Sequence, residues 1–131
     1  MRLLDTDVCV EILRGNPAVI RRRAATPDDV ATTCITAAEL HYGAARSWDP
    51  PANADLVDRF LQTLPVLPLD RPVARRFGAL KADLQRQNAL LADADLLIAA
   101  LALASGATLV TGNRKHYERV AGLPIEDWIH G

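Results

Sequence analysis

Arg2-Leu3-Leu4-Asp5-Thr6-Asp7-Val8 (residues 2–8) is a short apolar run that stops on an acid. Three apolar-flanked residues followed by a polar turn read as a buried strand ending at Asp5. Asp7 suits the N-terminal cap or first turn of a helix running from Val8 to Arg14. Gly15-Asn16-Pro17 stops that helix, and Pro17 opens a second one reaching about Ala25. A strand leading straight into a helix is half of a βαβ unit, so the next question is whether the pattern repeats.

It does. Thr26-Pro27-Asp28-Asp29 reads as a loop, and the β-branched stretch Val30 to Ile35 as a second buried strand. Thr36, with Glu39 three residues later, has capping-box spacing before a helix Ala37 to Arg46. Asp49-Pro50-Pro51 breaks the pattern, and a helix follows over about Ala52 to Thr63. Pro65 to Leu69 is a brief apolar third strand. Asp70, with Pro72 just inside, opens a long helix to about Gln87. Leu96 to Ala104 is apolar on every side, which places it centrally. It starts from Asp93 or Asp95 and ends at Gly106. Ala107 to Thr111 is the fourth strand, Lys115 to Val120 a short helix, and Leu123 to Trp128 an added edge strand. Strands alternating with helices predict an α/β fold in three layers, a central parallel sheet covered by helices on both faces.

The chain has 131 residues, the size of one ordinary domain spanning 1–131. Half of the residues are hydrophobic and 24% charged, which excludes a disordered chain. A net charge of −1 argues against a generic DNA-coating protein, because non-specific duplex binding rests on summed positive charge. It leaves room for local basic contacts around an acidic centre. The basic side is nearly all arginine, in runs at Arg21-Arg22-Arg23, Arg75-Arg76 and Arg114-Lys115; solvated helix surface accounts for each run equally well. Cys9 and Cys34 lie in apolar surroundings without a CxxC partner and read as buried, reduced and inert, in keeping with a cytoplasmic protein. Asp5 and Asp7 interrupt any signal peptide. Leu96 to Ala104 is far shorter than the roughly 20 residues a membrane-spanning helix needs.

Ligands of open α/β sheets bind beyond the carboxyl ends of the strands. Asp5 ends the first strand, Glu39 lies one turn into the helix after the second, and Asp95 starts the buried helix before the fourth. Asn113 sits just past that fourth strand. Carboxylates gathered in one cleft repel each other, and a divalent cation relieves the cost. Oxygen-only ligation suits Mg²⁺ or Mn²⁺, and His41, His116 and His130 show no zinc-like spacing. Each acid also has a plain structural role: Asp5 as a turn residue, Glu39 as the return arm of a capping box, Asp95 or Asp93 as a helix cap.

Leu3-Leu4-Asp5-Thr6-Asp7-Val8 resembles the opening motif of PIN-domain proteins. Ile35-Thr36-Ala37-Ala38-Glu39-Leu40-His41-Tyr42-Gly43 is similar to their second motif, and Asp95-Leu96-Leu97-Ile98-Ala99-Ala100 to their third. Ala107-Thr108-Leu109-Val110-Thr111-Gly112-Asn113, followed by Lys115-His116-Tyr117, resembles the fourth. The likeness covers nearly the whole chain, in order, and within the family is strongest to the VapC toxins of bacterial type II toxin–antitoxin pairs. It implies a three-layer α/β/α PIN-like fold and Mg²⁺- or Mn²⁺-dependent endoribonuclease activity. It implies Asp5, Glu39 and Asp95 as catalytic metal ligands, with Asp95 rather than Asp93 as the third acid. Thr6 and Thr111 match supporting hydroxyls, with Asn113 beside them. Two departures stand out: Asp7 where many relatives carry Asn, and Asn113 where many carry a fourth Asp.

The resemblance further implies that Arg14, Arg114 or Lys115 holds flanking phosphates, with RNA chosen by shape and single-stranded loops. It implies a VapB-like antitoxin partner covering the cleft, and a homodimer. The apolar surface of the early helices, Val8, Ile12, Val19 and Ile20, is the expected groove for that partner, or else plain core. Asp5-Thr6-Asp7 after a strand also resembles the start of haloacid-dehalogenase phosphatases, with Asp5 as nucleophile and Asp7 as acid/base; that reading leaves Glu39 idle. The remaining alternative is a non-catalytic PIN interaction module.

Overall fold

The computed structural model describes residues 1–27 and 29–131; the part of the expected 26–29 loop at Asp28 lies outside the described residues. The elements run β1 (Arg2–Leu4), α1 (Thr6–Leu13), α2 (Pro17–Ala25), β2 (Val30–Thr33), α3 (Cys34–Ala45), α4 (Pro50–Leu61), β3 (Val66–Leu67), α5 (Arg71–Arg86), α6 (Asp93–Ser105), β4 (Thr108–Val110), α7 (Arg114–Tyr117) and β5 (Ile125–Glu126). The five strands form one sheet in the order β3-β2-β1-β4-β5, and every pairing is parallel. Chain order reverses at β1, which has β2 on one side and β4 on the other. The crevice beyond β1 and β4 is therefore the switch point of the sheet.

Successive strand residues point to opposite faces. Leu3, Ala31 and Leu109 face a core built by α5 and α6, which buries Val73, Leu84, Leu96, Ile98 and Leu101 and takes in Tyr117. Leu4 and Val110 face the other core, with Val8 and Cys9 of α1, Val19 of α2, Leu40 of α3, Val57 and Phe60 of α4, and Trp128. The all-apolar α6 is central as its sequence predicts: Leu96 and residues 98–102 are at most 1% exposed. Burying each large aliphatic side chain contributes roughly 2 kcal/mol, so Leu96→Ala costs about 2–5 kcal/mol.

Several boundaries differ from expectation, for local reasons. Helix α1 begins at Thr6, not Val8, because Asp5 is its cap: its carboxylate accepts the Thr6 N–H from an extended backbone. Likewise β2 ends at Thr33, whose hydroxyl accepts the Thr36 N–H and caps α3. Thr36 is thus inside the first turn rather than the cap, and Glu39 is not the return arm of a capping box. Pro50 opens α4 two residues early, with Asp49 capping. Neither Asp93 nor Asp95 caps α6; the cap position is Ala92, and both acids sit in the first turn, where the helix dipole favours them. Helix α7 is only one turn, and Cys34 is partly exposed rather than buried. Cys9 is buried, which pushes its thiol up to about 12.

Glu126 ties the chain ends together. It takes Arg2 at 2.9 Å, Arg22 at 3.0 Å and the Trp128 indole N–H at 2.7 Å. Its burial opposes the charge, but these donors outweigh that and hold the carboxyl below its usual value.

Candidate active site

Asp5 leaves β1 at the switch point and is 6% exposed. One carboxylate oxygen accepts the Thr6 N–H at 2.8 Å, and the other the Thr111 hydroxyl at 2.8 Å. Thr111 leaves β4 beside it, fully buried, and its oxygen also accepts the Asn113 N–H at 3.0 Å. The two central strands thus deliver an acid and its hydroxyl support side by side. Burial raises the Asp5 carboxyl to about 7, and the charges of Asp7 and then Asp95 push the same way, against the bonds from Thr111 and Thr6.

Thr6 reaches outward from α1. Its hydroxyl donates to Glu39 Oε1 at 2.7 Å and lies 3.0 Å from the Thr36 hydroxyl. Glu39 itself is exposed on α3, so one oxygen is held and the carboxylate stays wet. Asp95, in the first turn of α6, accepts the Tyr117 hydroxyl at 3.2 Å and lies 3.8 Å from His116 Nδ1. His116 Nδ1 is also 2.7 Å from the Asn113 side-chain amide.

Asp7 points back toward the chain end. Oδ2 accepts the Gly112 N–H at 2.9 Å, while Oδ1 is buried without a partner among the described residues. Burial raises its carboxyl as well, with help from Asp127.

These side chains border one cavity of about 380 Å³, lined by Asp5, Thr6, Asp7, Val10, Glu11, Arg14, Glu39, Asp95 and Asn113. Asp5, Glu39 and Asp95, far apart in sequence, therefore meet, and Arg14 stands on the rim. Asp93 does not line the cavity; it pairs with Lys81 at 2.9 Å. Arg114 and Lys115 are exposed on α7 and do not line it either. Tyr117, Thr36, His116 and Glu11 are the residues that the sequence reading passed over. Glu11 carried a signal, since Asp7, Glu11 and Arg14 follow helical i, i+4, i+7 spacing on one face. Tyr117 carried none beyond its place in the fourth motif.

The donor set fits a hard divalent cation. It is all oxygen, burial raises the proton affinity of Asp5 and Asp7, and one buried Asp7 oxygen has no partner among the described residues. Among the described residues no group of three or more His, Cys, Asp or Glu side chains is placed to hold a metal ion as it stands, so a cation here would be held by fewer than three of these acids, with water completing its shell.

Next to this cavity runs a larger groove of about 600 Å³ between α1, α3 and α4. The two share Thr6, Val10, Arg14 and Glu39. Its walls carry Leu13 and Val57 together with the exposed Tyr42 and Leu56. The groove is therefore not the one expected at Val8, Ile12, Val19 and Ile20. Val8 and Val19 are fully buried core, Ile12 packs against that core, and only Ile20 is exposed.

A parallel α/β/α sheet with acids gathered at its switch point is the architecture of PIN-domain proteins, and the chain belongs to that family, whose profile matches residues 2–123. Within the family its relatives carry the VapC name. It is 34% identical over 128 residues to Ribonuclease VapC2 of Haemophilus influenzae, covering 97% of both chains. It is 34% identical to the tRNA(fMet)-specific endonuclease VapC of Shigella flexneri, covering 96% of both. The fold matches VapBC2 from Rickettsia felis bound to a promoter DNA fragment, with a TM-score of 0.91 at 31% identity over 97% of this chain and 98% of that one. It also matches DNA-bound VapBC from Salmonella typhimurium, with a TM-score of 0.92 at 33% identity over 97% of each. This kinship displaces the haloacid-dehalogenase reading of Asp5-Thr6-Asp7.

Proposed function

We propose that this chain is the toxin of a VapBC-type toxin–antitoxin pair, a cytoplasmic endoribonuclease folded as a single PIN domain and working with Mg²⁺ or Mn²⁺. The observation that carries the reading is the meeting of Asp5, Glu39 and Asp95 in one cavity at the carboxyl edge of the sheet.

Asp5 and Asp95 would hold the cation, with Glu39 as the third acid. When bound, such an ion lowers the pKa of a water and offsets charge on the phosphodiester. Thr111 fixes Asp5 through one oxygen, and the Thr6 hydroxyl fixes Glu39 through one oxygen, leaving its other oxygen to accept a proton from the attacking water. Asn113 stays neutral where a fourth acid would add repulsion. Arg14 meets the phosphate next to the scissile one, while Arg114 and Lys115 act further out along the strand. Relatives named as tRNA(fMet)-specific endonucleases make a tRNA the first substrate to test.

Solved relatives are toxin–antitoxin complexes, and the groove beside the cavity supports the same partnership here. A VapB-like segment laid against Leu13, Tyr42 and Leu56 reaches the rim at Arg14 and Glu39 and blocks the acids. The active form is read as a homodimer.

The direct experiment incubates purified protein with tRNA in Mg²⁺, Mn²⁺ or EDTA, beside Asp5→Ala and Asp95→Ala proteins of checked circular dichroism. Cleavage is expected only for the wild type with metal. Undiminished cleavage by folded Asp5→Ala would overturn the assignment, and no cleavage or Mn²⁺ uptake by the wild type would favour a non-catalytic PIN module.

A further inference from the structure

We propose that Arg71, Arg75 and Arg76, on the outer face of α5, form a second phosphate-contact surface that holds RNA outside the cleft. The inference rests on the nuclease reading above.

The structure separates the arginines that build the fold from those that do not. In the 21–23 run, Arg22 pairs with Glu126, and Arg23 donates to Thr63 and lies over the Phe60 ring. Arg59 pairs with Asp55, Arg86 with Asp83, and Arg119 donates to the Leu90 carbonyl. Arg71, Arg75 and Arg76 are exposed and make no side-chain hydrogen bond or ion pair among the described residues. The adjacent acid, Asp70, is occupied in capping Val73 N–H.

Their placement opposes the stability of their own helix. Arg71 and Arg75 stand one turn apart on one face, where like charges repel. Arg71 opens the first turn of α5, where the helix dipole disfavours a cation, and Arg75 and Arg76 follow in the second. A polyanion bound there relieves both effects. The three border a hollow of about 540 Å³ together with Pro72 and Ala79. With no large side chain standing proud, a phosphate chain can approach all three guanidinium forks. The same lack of an aromatic or aliphatic anchor argues against a protein partner, whose binding energy concentrates in such anchors. Position is favourable too: α5 starts three residues after β3 leaves the carboxyl edge of the sheet, the edge that carries the cleft.

The test compares wild type with the R71Q/R75Q/R76Q protein, Gln being a comparable helix former. Binding of a fluorescent single-stranded oligoribonucleotide is followed by anisotropy in EDTA across a KCl series, after matched thermal melts. The plot of log Kobs against log salt should flatten by about 2, near 0.7 per lost phosphate contact, with affinity down roughly tenfold or more at low salt. With Mn²⁺, hydrolysis of a fluorogenic dinucleotide that fills only the cleft should be unchanged, while KM for tRNA rises and kcat holds. An unchanged salt slope overturns the surface, and so does weakened antitoxin binding with RNA binding intact, which marks an acidic-protein site. Wild-type protein that binds RNA with the steeper slope yet never cuts it counts against the nuclease reading alone.

Discussion

The Tyr117 hydroxyl donates to Asp95 at 3.2 Å from a ring that is fully buried. Burial, reinforced by the nearby charges of Asp5 and Asp95, holds the phenol well above its ordinary value, so it stays a donor throughout the working pH range. The packing core under α6 and the acidic cavity above it thus share one side chain. Its ring contributes to the core, and its oxygen orients an acid that the sequence places on another element.

Tyr117→Phe keeps the ring and removes only that donor. Partners behind a metal ligand are worth about tenfold or more in metal affinity. Isothermal titration with Mn²⁺ should show about a tenfold weaker Kd and a circular dichroism spectrum like that of the wild type. An unchanged Kd would mean that the hydroxyl merely fills space.

Asp5 gives a pH dependence of definite sign. Its folded value near 7 lies above the ordinary 3.8, so between those values the folded chain binds the extra proton. Its contribution is fully retained below about 3.8 and is lost as pH rises through 7, by roughly 4 kcal/mol at most. Glu126 and Asp127 are held below their ordinary values and act oppositely, losing stability as pH falls. In EDTA the thermal midpoint should therefore peak in mild acid and decline toward pH 8. Asp5→Asn should reduce the alkaline limb, leaving the smaller part that the raised Asp7 carboxyl contributes with the same sign, and Mn²⁺ should restore more stability at pH 8 than at pH 5. An alkaline limb undiminished in Asp5→Asn would assign it to another group.

A Cβ at Gly112 would crowd three side chains. A methyl group there would meet Ile129 Cδ1 at 2.8 Å, Asp7 Oδ2 at 3.0 Å and His130 Cε1 at 3.2 Å. The Asp7 oxygen is also the acceptor of the Gly112 N–H, so the clash and the bond fall on one atom. Gly112→Ala should cost about 1–3 kcal/mol, read as a lower urea midpoint with an unchanged m-value. A native-like midpoint would show that residues 129–130 shift at little cost.

The parallel sheet and the meeting of Asp5, Glu39 and Asp95 were legible because both follow from strand–helix alternation, a pattern that survives errors of a residue or two. The caps were not. Asp5 caps α1 from the position just after β1, and Thr33 caps α3 from the last position of β2, where the β-branched run Val30 to Ile35 hides the turn. Tyr117 was invisible because its hydroxyl acquires meaning only when α7 folds back beneath Asp95. Val8 and Val19 were open to two readings, groove or core, because apolar periodicity marks both alike. Packing makes them core, and the proposed antitoxin site moves to the open groove between Leu13 and Leu56.

That correction can be tested at Leu56. The residue is 50% exposed on α4 and lines the groove that shares Arg14 and Glu39 with the acidic cavity. A half-exposed side chain that itself makes no cap or ion pair tolerates substitution within about 0.5 kcal/mol, so Leu56→Glu should melt like wild type. A charge on the wall must be desolvated beneath any apolar segment laid there, and a central contact of this kind typically carries more than 1 kcal/mol. The affinity of a VapB-like antitoxin, measured by surface plasmon resonance, should fall at least tenfold, chiefly through faster dissociation. RNA cleavage by the free variant should be unchanged, since Leu56 does not line the acidic cavity. If the variant binds antitoxin as tightly as wild type, the inhibitor enters by another face of the cleft.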